Sequence, residues 1–365
     1  MKKKFSLVHL LVLSTLLLWP LSSWAQTGNA LFSSHIPVKS QDENELQQAM
    51  QQGFSQVILR NTSVATALNN PLISKAVSNP QAYVIGFRYD KFTDTTPDSP
   101  YLFKLFFQFD EKAIKKLLND AGLPIWGTNR PPLLVWWVIK SNGEPTLVNQ
   151  ETAPEIVAML NEQAQLRGIP LIFPLLDIQD NESIQPNDIW GFHLDKAKSA
   201  SQRYGHENIL LGRSDFLNDF GESRCLLLLG AETLNTPATQ GQLKSMLGQA
   251  IDFTADHIAQ RYAVSTQGNA QTDIQLIVSD INNLQAFAAL EQYFLQLDTV
   301  KTVSIGSIKN REVTVNLSLN TDIAQFEKII QLDNKLEKQP TENSNANAPN
   351  QEAGHYYHWQ DRSGY

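Results

Sequence analysis

Leu133-Leu134-Val135-Trp136-Trp137-Val138-Ile139 is the stretch that decides the fold. It is apolar throughout and flanked by Pro131-Pro132 and by Ser141-Asn142-Gly143. A strand that is apolar on both faces belongs in a sheet covered on both sides. Similar runs recur at Ile169 to Leu176, Asn208 to Gly212 and Arg224 to Ala231. Helical spacing of apolar residues separates them at Pro154 to Arg167 and at Asn187 to Tyr204, and a long amphipathic stretch, Gln242 to Tyr262, closes the series. Asn218-Asp219-Phe220-Gly221 carries turn chemistry, so the last two runs pair as a hairpin. The order β-α-β-α-β-β-α predicts a central, mostly parallel sheet with helices on both faces.

Outward from this centre, the chain divides into modules. Residues 26–122 read as an α+β module: a short strand at Ile36 to Val38, a helix from Asp42 to Leu59, a weaker one at Pro71 to Val77, and strands at Ala82 to Tyr89 and Tyr101 to Phe109. Thr93 to Pro100 is a loop by composition. Asp110 is placed to cap a helix that Gly122 ends. Residues 123–265 hold the central α/β module. Residues 272–333 follow the order β-α-β-β-α of a small ferredoxin-like unit, with Asn310-Arg311 as a hairpin turn. Residues 338–365 are rich in Gln, Asn, Pro, Glu and Ser and predict a disordered tail. The fold class is therefore multi-module, α/β and α+β.

The N-terminus assigns a compartment. Lys2-Lys3-Lys4, an apolar run from Leu7 to Leu18, and Ser23-Trp24-Ala25 before Gln26 have the layout of a secretory signal peptide. The apolar run is shorter than the roughly 20 residues that span a bilayer. Residues 1–25 are thus expected to be removed near Ala25, leaving a periplasmic protein, or one that is secreted or associated with the outer membrane. Removal takes three of the 29 basic residues, so 26 face 37 acidic ones and the net charge is −11. That balance argues against nucleic acid as a partner. No further stretch is apolar enough to span a membrane. The single cysteine, Cys225, precedes four leucines and reads as a buried thiol without a disulfide.

A series of short motifs resembles the DUF2066 family of exported gammaproteobacterial proteins. It comprises Ile36-Pro37-Val38, Val57-Ile58-Leu59-Arg60, Asn79-Pro80 before Tyr83, Gly122 to Gly127, Asn129-Arg130-Pro131-Pro132 and Leu133 to Trp137. It continues through Arg167 to Leu171, Phe173 to Asp177, Asp188 to Gly191, Ala200-Ser201, Arg203-Tyr204-Gly205 and Leu210 to Arg213. The resemblance implies export and no established activity. The central module is more weakly similar to domains of the curli-export lipoprotein CsgG and of TolB, which would imply work in envelope assembly or integrity.

Three constellations invite chemistry. Trp126, Arg130 and Trp190 suit a concave aromatic site for a glycan or peptide, or else a buried hub joining two modules. Trp136 and Trp137 point to opposite faces of one strand and cannot share a pocket. Asp177 and Asp188 flank the loop after a strand, where carboxylates serve as general acid and base or simply cap helices. Arg213, after Gly212, is a ligand-binding candidate that Asp215 can also neutralise. The histidines His35, His193, His206, His257, His355 and His358 show no metal-ligand spacing, and no nucleotide-binding motif is present, so neither metal nor cofactor is expected. These features favour a non-catalytic protein-binding or assembly factor with an envelope partner. The alternatives are a small-ligand or glycan-binding protein and a hydrolase using Asp177 and Asp188; oligomeric state is left open.

Overall fold

A computed structural model describes residues 30–62, 64–91, 99–141, 143–265, 272–332, 335–339 and 355–360. The signal segment and most of the Thr93 to Pro100 loop lie outside them. The described residues form a mixed α/β structure with three sheets and ten α-helices.

The first module contains β1 (Ser33–Val38), α1 (Glu43–Arg60), α2 (Pro71–Ser78), β2 (Val84–Lys91), β3 (Phe103–Phe109) and α3 (Glu111–Asp120). Its antiparallel sheet has the order β1-β3-β2. The side chain of Asp42 caps α1 and that of Asp110 caps α3, each satisfying N–H groups that the first turn leaves free. Phe54, Val57 and Ile58 on α1 share a core with Leu105, Phe107 and Phe109 on β3.

The central module contains β4 (Leu133–Lys140), β5 (Thr146–Leu147), α4 (Pro154–Arg167), β6 (Leu171–Ile172), α5 (Ile178–Ser183), α6 (Pro186–Trp190), α7 (Leu194–Ser201), β7 (Asn208–Leu217), β8 (Phe220–Leu229), β9 (Glu232–Asn235), β10 (Thr239–Gln242) and α8 (Leu243–Tyr262). Alternation along β4 divides its side chains between two cores. Leu133, Val135 and Trp137 join residues of α4 and α8, whereas Leu134, Trp136 and Val138 join residues of α6 and α7. Both indoles are fully buried, and each N–H reaches a serine: Trp136 donates to Ser201 Oγ at 2.9 Å and Trp137 to Ser214 Oγ at 3.0 Å. Gly212 lies in register with Trp137, and a Cβ there would stand 2.0 Å from the indole ring.

The sheet corrects the mostly parallel expectation. β4 is parallel to β6 and β7, but β5 pairs β4 antiparallel, β8 pairs β7 antiparallel, and β9 and β10 pair β8 antiparallel. Parallel pairing requires a long crossover, whereas a two-residue turn enforces antiparallel pairing. Asn218 and Asp219 supply that turn, both with positive φ (48° and 67°). The added strands β9 and β10 are short and polar and carry no hydrophobic signal. The single helix expected over Asn187 to Tyr204 is also corrected. Gly191 ends α6, and Phe192 adopts φ 54° before α7 begins.

The third module contains β11 (Thr272–Ser279), α9 (Leu284–Gln296), β12 (Val300–Lys309), β13 (Glu312–Leu319), α10 (Ile323–Ile330), β14 (Leu336–Lys338) and β15 (His355–Trp359), with sheet order β12-β13-β11-β15-β14. The turn at Asn310 and Arg311 repeats the paired positive φ values of the central hairpin. Here the disordered-tail expectation for 338–365 fails in part. β15 inserts parallel to β11 and antiparallel to β14, and Tyr357 and Trp359 enter the core. Two large aromatics at alternate positions give a five-residue strand enough apolar area to hold its place. Residues 340–354 lie outside the described residues.

Candidate functional site

Trp126 and Arg130 sit where the modules meet. The chain at Ile125 bridges Thr62 of the first module and Val264 after α8. Trp126 is 1% exposed, and the Arg130 guanidinium lies over its ring. Arg130 donates to the carbonyls of Gly127 (3.0 Å), Arg167 (3.1 Å), Arg60 (2.9 Å) and Trp126 (3.0 Å). Arg60 in turn donates to the carbonyls of Leu166, Ala30 and Ser33. Both arginines therefore saturate carbonyls around the ends of α1 and α4, including those that helix geometry leaves free. Burial lowers the pKa of Arg60 to about 10 and that of Arg130 well below its ordinary value. This arrangement is a fastening between modules with no surface for a ligand, and Trp190 does not join it.

Asp177 and Asp188 serve as helix-start residues. Asp177 caps α5 by accepting from the Asp180 N–H at 3.0 Å and pairs with Arg203 at 2.6 and 2.8 Å. Asp188 closes a capping box with the Gln185 N–H and accepts from Lys196 at 2.8 Å, with His193 at 3.1 Å. Hydrogen bonds from Arg203 to Asp177 and from Lys196 to Asp188 are the chief reasons that each carboxyl titrates at about 2. A general acid must carry a proton near the working pH. Neither carboxyl does so, and each is engaged by its own cations.

Asp180 is a residue that hydrophobic spacing and motifs do not single out. It is 1% exposed. Its carboxylate accepts from Arg203 Nη1 (2.9 Å), from the Tyr204 hydroxyl (2.6 Å) and from the Leu176 N–H (2.9 Å). The Tyr204 oxygen also accepts from the Leu175 N–H at 2.9 Å, and burial with the Asp180 bond raises its pKa to about 12. Asn149 and Asn181 donate to the Leu175 and Leu176 carbonyls at 3.1 and 2.8 Å. Leu176 itself has φ 54°. Residues 175–177 thus form a loop with its polar backbone tied down, which leads into α5 and presents Leu175 (64% exposed) and, at the first residue of that helix, Ile178 (80% exposed) to solvent. Nothing in hydrophobic spacing separates these two side chains from core leucines.

Trp190 and Arg213 do come together. They line a cleft of about 480 Å³ with Asp215, Phe220, Glu222 and Arg224, on one face of the β7–β8 hairpin. Arg213 donates to the Trp190 carbonyl. Its guanidinium lies 5.4 Å from the Trp190 ring and 5.0 Å from that of Phe192, and Lys140 lies 5.6 Å from Trp190. Of the six candidate residues, Trp190 and Arg213 line this cleft together. Among the described residues no group of histidine, cysteine and carboxylate side chains is arranged to hold a metal. Cys225 is buried against Thr236, and burial raises its thiol to about 11.

Comparison with known proteins corrects the family assignment. Residues 25–127 match the model of DUF8605, a domain of unknown function. The DUF2066 family is not detected. The motifs quoted for it are rich in Gly, Pro, Trp and buried apolar residues, which turns and cores select in unrelated chains. No curated protein matches the chain. Among solved structures, the LpoB C-terminal domain from Salmonella enterica aligns with a TM-score of 0.23 and 18% identity, covering 31% of this chain and 82% of that one. No helix among the described residues is long and apolar enough to cross a membrane.

Proposed function

We propose that the chain is an exported, non-catalytic envelope protein that binds another protein, released into the periplasm by cleavage near Ala25. The observation that carries this reading is the segment at residues 175–178. Large aliphatic side chains exposed on a mobile loop lose much of their binding energy to ordering. Here Asp180, Tyr204, Asn149 and Asn181 already fix the backbone, so Leu175 and Ile178 are held ready for an apolar recess on a partner. The acidic net charge favours a protein over nucleic acid. We read the third module as a ferredoxin-like βαββα unit completed by β15, and the central one as its scaffold.

The test is crosslinking in cells of the chain with a small C-terminal tag, followed by mass spectrometry. A reproducible envelope protein captured by the wild type and lost in Leu175→Asp and Ile178→Asp, with melting temperatures unchanged, supports the reading. A capture profile that those variants leave intact sinks it. N-terminal sequencing of the purified protein tests export: a start near Gln26 is expected, and an intact Met1 contradicts it. The small-ligand reading has its own support in the Trp190 cleft.

A further inference from the structure

The β7–β8 hairpin carries a charge pattern that works against its own pairing. Register sets Arg213 opposite Arg224 and Asp215 opposite Glu222. Like charges directly across an antiparallel pair are destabilising. Alternation puts both pairs on one face of the sheet, and Lys140 of β4 lies in register with Asp215 on that face. Among the described residues, the only ion pair within this array joins Arg224 to Glu222 at 2.8 Å along the strand, and both side chains are solvent-accessible. Among the described residues, Arg213 has no carboxylate within ion-pair distance. The result is a pair of arginines beside a pair of carboxylates that Lys140 flanks, two residues apart, or about 7 Å along the strand. Trp190 stands over Arg213, and Phe220 lies at the far end of the cleft.

We propose that this cleft binds a short peptide with free termini. Its carboxylate meets Arg213 and Arg224, its ammonium meets Asp215 and Glu222, and an apolar side chain lies against Trp190. The spacing selects the length, because two extended residues span about 7 Å, the distance between the two pairs. The carboxylate pair disfavours a polyanion such as phosphate, which would answer the arginines alone. The volume is within the usual range of small-ligand pockets. This inference uses no part of the 175–178 segment, so the two proposals stand or fall separately.

Calorimetric titration of the mature protein with alanyl-phenylalanine, its N-acetylated form, its C-amide and inorganic phosphate tests the proposal. Saturable binding of the free dipeptide is expected, at least ~10-fold weaker with either terminus capped. Arg213→Gln and the exposed Arg224→Gln should each weaken it by a similar factor, with near-ultraviolet circular dichroism unchanged. No binding of the dipeptide at millimolar concentration, equal binding of all three peptides, or tighter binding of phosphate overturns the proposal.

Discussion

The Arg130 guanidinium carbon lies 3.8 Å from the centre of the Trp126 ring, and the same side chain reaches backbone carbonyls of three separate segments. Removing it leaves those buried carbonyls without donors, at about 1–3 kcal/mol each. Arg130→Met should therefore destabilise the protein by more than about 3 kcal/mol in urea denaturation. Arg130→Lys should restore little, because one ammonium cannot reproduce a planar fork of donors. A loss under about 1 kcal/mol for Arg130→Met would mean that the fastening is incidental.

Tyr204→Phe removes one oxygen that serves both the Asp180 carboxylate and the Leu175 N–H. The expected loss of stability is about 1–3 kcal/mol. Hydrogen exchange at residues 175–178 should accelerate in the same variant. Partner capture should weaken although Leu175 and Ile178 are unchanged. Unaltered exchange in that segment would contradict the bracing described above.

Acid should reveal the clamp at Asp177. Arg203 holds its pKa at about 2, below the ordinary 3.8. A depressed carboxyl contributes stability that is complete above pH about 4 and lost as pH falls through about 2. Arg203→Gln should flatten the pH dependence of the melting temperature over that interval, while stability near neutrality also falls, because the same guanidinium pairs with the buried Asp180 carboxylate. An acid limb as steep in the variant as in the wild type would refute this role.

The third core should depend on the chain's last strand. Trp359→Ala removes a buried indole and should cost about 3–5 kcal/mol. Ending the chain after Gln339 should expose the β11 edge, giving faster amide exchange at Leu276 and Val278, which pair in register with His355 and Tyr357. Unchanged exchange there would show that β15 contributes little to the module.

Local chemistry made much of this protein legible from its residues alone. Apolar runs located β4, β7 and β8; capping aspartates and stop glycines bounded α1, α3 and α4; and Asn218-Asp219 and Asn310-Arg311 announced their hairpins. Alternation alone placed Trp136 and Trp137 in different cores. These features rest on neighbours within a few positions, so a linear reading reaches them. Strand direction, the insertion of β15 and the burial of Asp180 rest on partners 20 or more residues away, such as Arg203 and Tyr204 for Asp180. The same holds for function. Arg213 and Arg224 are each unremarkable surface cations in sequence, and only cross-strand register makes them a pair. Arg130 looks like a ligand-binding residue until the carbonyls of two distant segments close around it. Tertiary structure decided these because a polar group takes its role from whatever meets its hydrogen-bonding atoms, and spacing along the chain does not encode that.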